Sequence, residues 1–166
     1  MINREKVHLH LLNMVDDGYD LMAAYDAVPH RYGEFLLFQT EAKTIQFIGC
    51  HPSSTITDLA NANKKTTSAY SQIIRKLVKK GWVRQERNEK NHRLYNLFLT
   101  EEGKKVYNSH HEFETKCYQR MFEKLSVFSD EELEIFCAVH KKLNESYELD
   151  LQDSLEEMAS QTGSEA

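Results

Sequence analysis

Residues 55–93 read TITDLANANKKTTSAYSQIIRKLVKKGWVRQERNEKNHR. Apolar residues recur in this stretch at helical spacing as Tyr70, Ile73, Ile74, Leu77 and Val78, which predicts a buried stripe on a helix over 66–80. Thr66 caps its start, Lys79 and Lys80 complement the dipole of its last turn, and Gly81 supplies a left-handed stop. A short helix over 55–62 precedes it, capped by Thr55 or Thr57, with Ile56, Leu59 and Ala60 facing inward. Residues 61–65 are the turn between the two helices. Beyond Gly81, residues 82–87 and 93–99 have strand character and flank the polar residues 88–92, so the pair reads as a β-hairpin with a basic tip. From Lys64 to Arg93 there are ten Lys and Arg against two acids, a net of +8 inside a chain whose formal charge is −5. A basic patch in an acidic protein needs a local cause, and duplex DNA is the leading one.

The flanks support a helical reading. The 166 residues contain six Gly and two Pro, so long stretches run without breakers. Residues 4–27 form a first helix with a wide apolar stripe, ended by Pro29. Residues 34–50 carry a second helical pattern, with a break near Gln39–Thr40 and Thr40 available as a cap. Thr100-Glu101-Glu102 opens a long helix that keeps Val106, His110, Phe113, Cys117, Met121 and Leu125 on one face. Ser129-Asp130-Glu131-Glu132 starts a last one, with Leu133, Phe136, His140, Leu143 and Tyr147 inward. Residues 151–166 are polar and acidic and read as a disordered tail. The fold class is therefore mainly α: a winged helix-turn-helix with a small β-hairpin wing, flanked by long helices.

This arrangement suits a helix that lies in the major groove, burying one side and presenting hydrogen-bonding side chains on the other. Thr67, Ser68, Ser71, Gln72 and Arg75 are the reading face. Thr66 and the first helical amides are placed to hold a phosphate. Arg87, Lys90, His92 and Arg93 bring the wing to the neighbouring backbone or minor groove. Lys76, Lys79 and Lys80 fit a solvated helix face as well as a phosphate contact.

Leu59-Ala60, the helix end Leu77-Val78-Lys79-Lys80-Gly81-Trp82-Val83, the wing segment 87–93 and Leu99-Thr100-Glu101-Glu102-Gly103 together resemble the MarR family of bacterial transcription regulators. The resemblance spans about residues 35–145, with the first helix placed by order alone. It implies a homodimer, in which 1–34 and 100–150 form the dimerisation region and 35–99 the DNA-binding lobe. Two such lobes would reach successive major grooves of a pseudo-palindromic operator, usually in repression, and a small-molecule effector would alter their spacing. The family implies a cleft for phenolic or anionic effectors between lobes, which Tyr19, Tyr25, Tyr32, Phe35 and Phe38 could line; ordinary core packing explains each of them as well. The turn departs from the family, which carries an apolar residue and then Gly-Val where this chain has Asn63-Lys64-Lys65. Asn63 is the residue expected to tolerate a left-handed conformation, and Lys64 and Lys65 add phosphate-seeking charge. Arg93 matches the family's wing arginine.

Other chemistries find less support. His110 and Glu114 share a helical face at a metal-chelating spacing, and His8, His10 and His51 could add donors in three dimensions. The family's zinc-sensing pattern, however, needs ligands where this chain has Ala42, Lys43 and Thr44. His110 reads better as a core histidine. Cys50, Cys117 and Cys137 are widely spaced and read as small apolar residues in a reducing cytosol, with Cys50, beside a loop, the best redox candidate. No P-loop, Gly-x-Ser-x-Gly, HExxH or Gly-x-Gly-x-x-Gly is present, so neither an enzyme nor a cofactor protein is expected. No membrane span or signal peptide is expected, which suits a cytoplasmic protein. The rival reading is a winged-helix adaptor that binds proteins through its acidic outer helices and lacks sequence-specific DNA binding.

Overall fold

A computed structural model of the chain describes residues 3–163. The chain falls into two compact units, one ending at Cys117 and the other beginning at Tyr118.

The first unit opens with α1 (Arg4–Asp26), capped by the Asn3 side chain on the amides of Glu5 and Lys6. No residue of α1 is buried. Next come β1 (His30–Tyr32) and β2 (Phe35–Leu37), an antiparallel pair in which Tyr32 faces Phe35 across Gly33-Glu34. Gly33 has φ +59°, the left-handed geometry that a two-residue hairpin loop requires. The expected helix over 34–50 is thus corrected at its start. Phe35 is half-buried, Leu36 exposed and Leu37 buried, an alternation with the period of a strand. The helix itself is α2 (Gln39–Cys50). Phe38 stands at its N-cap, where the expected cap was Thr40. Phe38 has no side-chain acceptor, and the Glu41 carboxylate reaches back to its amide at 3.3 Å.

Then follow α3 (Ile56–Ala62), α4 (Thr67–Lys79), β3 (Val83–Arg87) and β4 (Tyr95–Leu99), in the expected helix, turn, helix and hairpin order. Thr55 caps α3 in a reciprocal box with Asp58. The core gathers on α2, with Ile45 and Ile48 meeting Leu59 of α3, Ile74 and Leu77 of α4, and Val83 and Leu97 of the hairpin. Val78, expected in the buried stripe, is 38% exposed, because it sits on the flank of α4 rather than on its inner face.

Helix α4 hands over to the hairpin through a Schellman stop. Gly81 (φ +74°) donates to the Val78 carbonyl and Trp82 to that of Leu77. Thr100 then ties the far end of the hairpin back to the same place. Its amide donates to the Trp82 carbonyl at 3.0 Å, its hydroxyl to that of Gly81 at 2.6 Å, and its oxygen accepts from the Gly103 amide. Gly103 lies in α5 (Glu101–Leu125) and is packed so closely on Trp82 that an added Cβ would stand 1.9 Å from its carbonyl oxygen.

The second unit holds the end of α5 and α6 (Asp130–Gly163). Ser129 and Glu132 form the box that starts α6. The tail expected to be unfolded from 151 is helical through Gly163; residues 164–166 lie outside the described residues. Leu151, Leu155 and Met158 recur at helical spacing, Gln152 bonds Glu156 one turn on, and no breaker intervenes before Gly163. Among the described residues, none on α6 is buried within this chain. Among the described residues no helix is long and apolar enough to cross a membrane.

Candidate nucleic-acid interface

The inner side of α4 is set by Tyr70, Ile74 and Leu77, all buried, with Ile73 half-buried beside them. At 100° per residue the outward direction falls on Ser68, Gln72, Arg75 and Lys79, with Thr67 and Ser71 on one flank. Ser68, Gln72, Arg75 and Lys79 are exposed. Ser71 differs: it is half-buried, and its hydroxyl donates to the Thr67 carbonyl at 2.7 Å. It still borders a small cleft shared by Arg75 and Gln85. The Thr66 hydroxyl caps α4 by accepting from the Ala69 amide at 3.2 Å.

One feature separates α4 from the other five helices among the described residues. Each of those carries at least one Asp or Glu in its first turn, whereas α4 carries none there. An acid in that place already balances the partial positive charge of a helix N-terminus. Here that charge faces outward uncompensated, next to Lys64 and Lys65, both exposed.

The turn before α4 corrects one expectation. Lys64, not Asn63, is the left-handed residue, with φ +50°, while Asn63 has φ −108°. The Asn63 side chain instead donates to the Leu59 carbonyl at 2.8 Å and closes the end of α3. The amides of Lys64 and Lys65 donate to the carbonyls of Asn61 and Ala60, so the turn is held from both sides. A lysine therefore occupies the place where the resemblance puts glycine.

The wing tip is built by two asparagines whose role the sequence reading passed over. Asn88 Oδ1 accepts from the amides of Lys90 and Asn91, and its amide group donates to Asn96 Oδ1. Asn91 Oδ1 accepts from the Arg93 amide. These are local side-chain turns, and the Asn-x-x-Asn spacing was their signal. They leave Arg87, Lys90, His92 and Arg93 exposed at the end of the hairpin.

Lys80 leaves the basic set. Its Nζ lies 3.1 Å from Glu41, whose side chain is only 8% exposed, and 4.6 Å from the centre of the Trp82 ring. It joins the C-terminus of α4 to the start of α2. Nothing in the pattern of charges marked this pair, since the partners lie 39 residues apart.

The secondary candidates disperse. His110 is 1% exposed, has no hydrogen-bond partner on either ring nitrogen among the described residues, and stands 3.6 Å from Glu114, which accepts from Gln46. Burial pushes its pKa down while the Glu114 charge pulls it up, and burial prevails. Among the described residues no cluster of three or more His, Cys, Asp or Glu is arranged to hold a metal. Cys137, expected to act as a small apolar residue, is exposed; Cys117 is half-buried, and Cys50 is exposed with its sulfur 3.7 Å from the Tyr107 hydroxyl. The five aromatics do not share one cleft. Tyr32 is core, bonded to Gln39 and edge-on to His110 and Phe113. Phe35 packs on Trp82, Tyr25 stacks on His30, and Tyr19 and Phe38 face solvent.

The sequence model of the MarR family matches residues 37–95. No curated protein matches the chain by sequence. Among solved structures, the fold is similar to that of FabT from Streptococcus pneumoniae in complex with DNA (19% identity, TM-score 0.62, 88% of this chain and 98% of that one). It is similar also to that of the MepR–DNA complex of S. aureus (21%, 0.64, 84% and 96%). A third, the MarR family transcription regulator SP03579, shares 17% identity at a TM-score of 0.68 over 86% and 91% of the two chains.

Proposed function

We propose, for a chain whose residues 37–95 match the MarR family and whose fold is that of MarR-family regulators, that it is a DNA-binding transcription regulator. It acts in the cytoplasm as a homodimeric repressor on a pseudo-palindromic operator. The observation that carries this reading is the outer face of α4. That face bears Ser68, Gln72, Arg75 and Lys79, with no acid anywhere in the helix and none at its N-terminus. Lys64, Lys65 and the Thr66 amide side take phosphate; Thr67, Ser68, Ser71, Gln72 and Arg75 meet base edges or the adjoining backbone. Arg87, Lys90, His92 and Arg93 hold the wing to the flanking strand. Ser71 contributes from the flank, since its hydroxyl proton is already given to Thr67. Catalysis has no part in this reading.

A dimer is supported by surfaces that one chain leaves uncovered. Helix α1 buries nothing, and Leu21 is 73% exposed on it; α6 leaves Leu151 61% exposed within a row of similar residues. Two long helices with apolar faces open to water call for a protein partner, and a second copy is the one that also gives two recognition helices. These helices and the start of α5 make the dimerisation region, while residues 35–99 make the DNA-binding lobe.

The test is titration of the protein into fluorescent duplex DNA over a range of salt. Log affinity should fall linearly and steeply with log salt as several phosphates are neutralised. Absence of duplex binding at low salt would sink the reading and favour the adaptor, whose working surface would be the acidic α6. Selection of bound genomic fragments would then identify the operator.

A further inference from the structure

Strand β3 sends its side chains alternately to two sides, and the two sides serve different ends. Arg84 and Glu86 lie on one. Arg84 stands 4.5 Å over the ring of Phe98, its partner in the hairpin register, and forms an ion pair with Glu86. Val83, Gln85 and Arg87 lie on the other, the side that meets α4. Val83 is buried in the core, and Gln85 stands opposite Leu97, which is fully buried. Gln85 is nevertheless exposed. A cleft of about 270 Å³ opens there between the flank of α4, the start of α3 and β3, and Gln85 is its wall on the β3 side. That volume falls short of the roughly 300–1,000 Å³ of small-molecule sites, so the cleft is sized for side chains.

Its composition singles out Arg75. Ile56, Ile74 and Val78 give the cleft an apolar lining, and Ser71, Arg75 and Gln85 are its polar members. Arg75 is exposed and, among the described residues, has no ion pair or hydrogen bond, and neither has the Gln85 side chain. The Ser71 proton is already given to Thr67. No carboxylate lines the cleft, since Glu86, next along β3, is on the other side with Arg84. An arginine in that setting keeps its full charge and has a wall for its aliphatic stem on Ile74 and Val78. What it lacks is a restraint on its fork. A guanidinium has five donors in a rigid plane, and two of them suffice for O6 and N7 of guanine. A neutral amide oxygen at the side of the cleft can take a third and fix the plane, without cancelling the charge as a carboxylate would.

We propose that Gln85 is a positioning residue for Arg75: its side-chain oxygen accepts from the guanidinium when α4 lies in the major groove, and so sharpens the base preference of Arg75. Gln85 thereby sets specificity without touching DNA. This rests on the DNA-binding reading and adds to it a residue from outside the recognition helix and the wing tip. The root of the wing and the reading face then act as one unit.

The test is selection of duplexes from a random pool with the full-length protein, followed by titration of the selected duplex and its single-base variants at one salt concentration. Arg75→Ala identifies the base pair that Arg75 reads, as the one where preference disappears. Gln85→Leu keeps most of the bulk of the side chain and loses its oxygen. It should lower the preference at that same base pair by about fivefold or more. Preferences at other positions, the melting temperature and the salt slope of random-duplex binding should stay as in wild type. In the double variant Arg75→Ala, Gln85→Leu the second change should add nothing to the first, because a residue acting through Arg75 has no effect once Arg75 is gone. Unaltered preference at that base pair in Gln85→Leu overturns the proposal, as does Arg75→Ala with every preference intact. Losses that add in the double variant overturn it too, since Gln85 would then contact DNA in its own right. A wild-type protein that enriches no duplex overturns the DNA-binding reading itself, and the proposal with it; enrichment by wild type with an unaltered Gln85→Leu profile overturns the proposal alone.

Discussion

Lys64→Gly is expected to make the protein more stable and its hold on DNA weaker at the same time. Lys64 has φ +50° in a turn pinned by the Asn63 side chain and by the amides of residues 64 and 65, so it cannot relax to the right-handed region without breaking those bonds. An L-residue held there costs about 1–2 kcal/mol. Glycine removes that cost but adds freedom to the unfolded chain worth about 0.5–1 kcal/mol. The net gain is about 0.5–1 kcal/mol, or roughly 1–4 °C in melting temperature for a chain of this length. On DNA, loss of one phosphate contact per subunit lowers the slope of log affinity against log salt by about 0.9, hence by about 1.8 for a dimer. Lys64→Ala separates the two effects, because it loses the charge and keeps the left-handed strain. Calorimetric melts should rank glycine above wild type, with alanine at or below it, while both variants give the same reduced salt slope. If Lys64→Gly melts no higher than wild type, the argument from backbone strain is wrong. If its salt slope is unchanged, the turn does not touch phosphate.

Gly103→Ala should destabilise by about 3 kcal/mol in urea unfolding, because the new methyl meets the Trp82 backbone oxygen and not a movable side chain. Lys80→Ala should cost about 2 kcal/mol by leaving the Glu41 carboxylate buried without its partner, yet leave the salt slope of duplex binding unaltered; a reduced slope would return Lys80 to the DNA-facing set. Because burial depresses the His110 pKa, the unfolded chain binds a proton first as pH falls below about 6.5. Stability should therefore fall between neutral pH and mildly acid pH, and His110→Phe should flatten that part of the profile in thermal melts. Arg93→Ala should weaken binding to all duplexes alike, whereas Gln72→Ala and Arg75→Ala should cost about 1–3 kcal/mol and relax preference at particular bases of a selected operator. Equal losses for all three on every sequence would erase the division between wing and recognition helix.

Where the chain's code is local, its structure was legible. The caps Thr55, Thr66, Thr100 and Ser129, the stop at Gly81 and the apolar spacing of α4 act within one turn of the residues that carry them, so they could be placed by inspection. Residues 34–38 were misread because Phe35, Leu36 and Phe38 fit a helical pattern about as well as an alternating one over so short a run. The Gly33 turn decided the matter by making the hairpin. The tail reads as disordered from its acidic composition, but Leu151, Leu155 and Met158 keep helical spacing and continue α6.

By itself the sequence determined the order of helices and wing, the outward-facing polar row of α4 and the opposite charge of 64–93, since each depends on neighbours close along the chain. Only the tertiary structure decided which lysine pairs with a buried carboxylate and which turn residue is left-handed. Those features depend on partners brought together from distant positions, such as Glu41 and Lys80. No periodicity records such pairs, because their distance in space is unrelated to their distance along the chain.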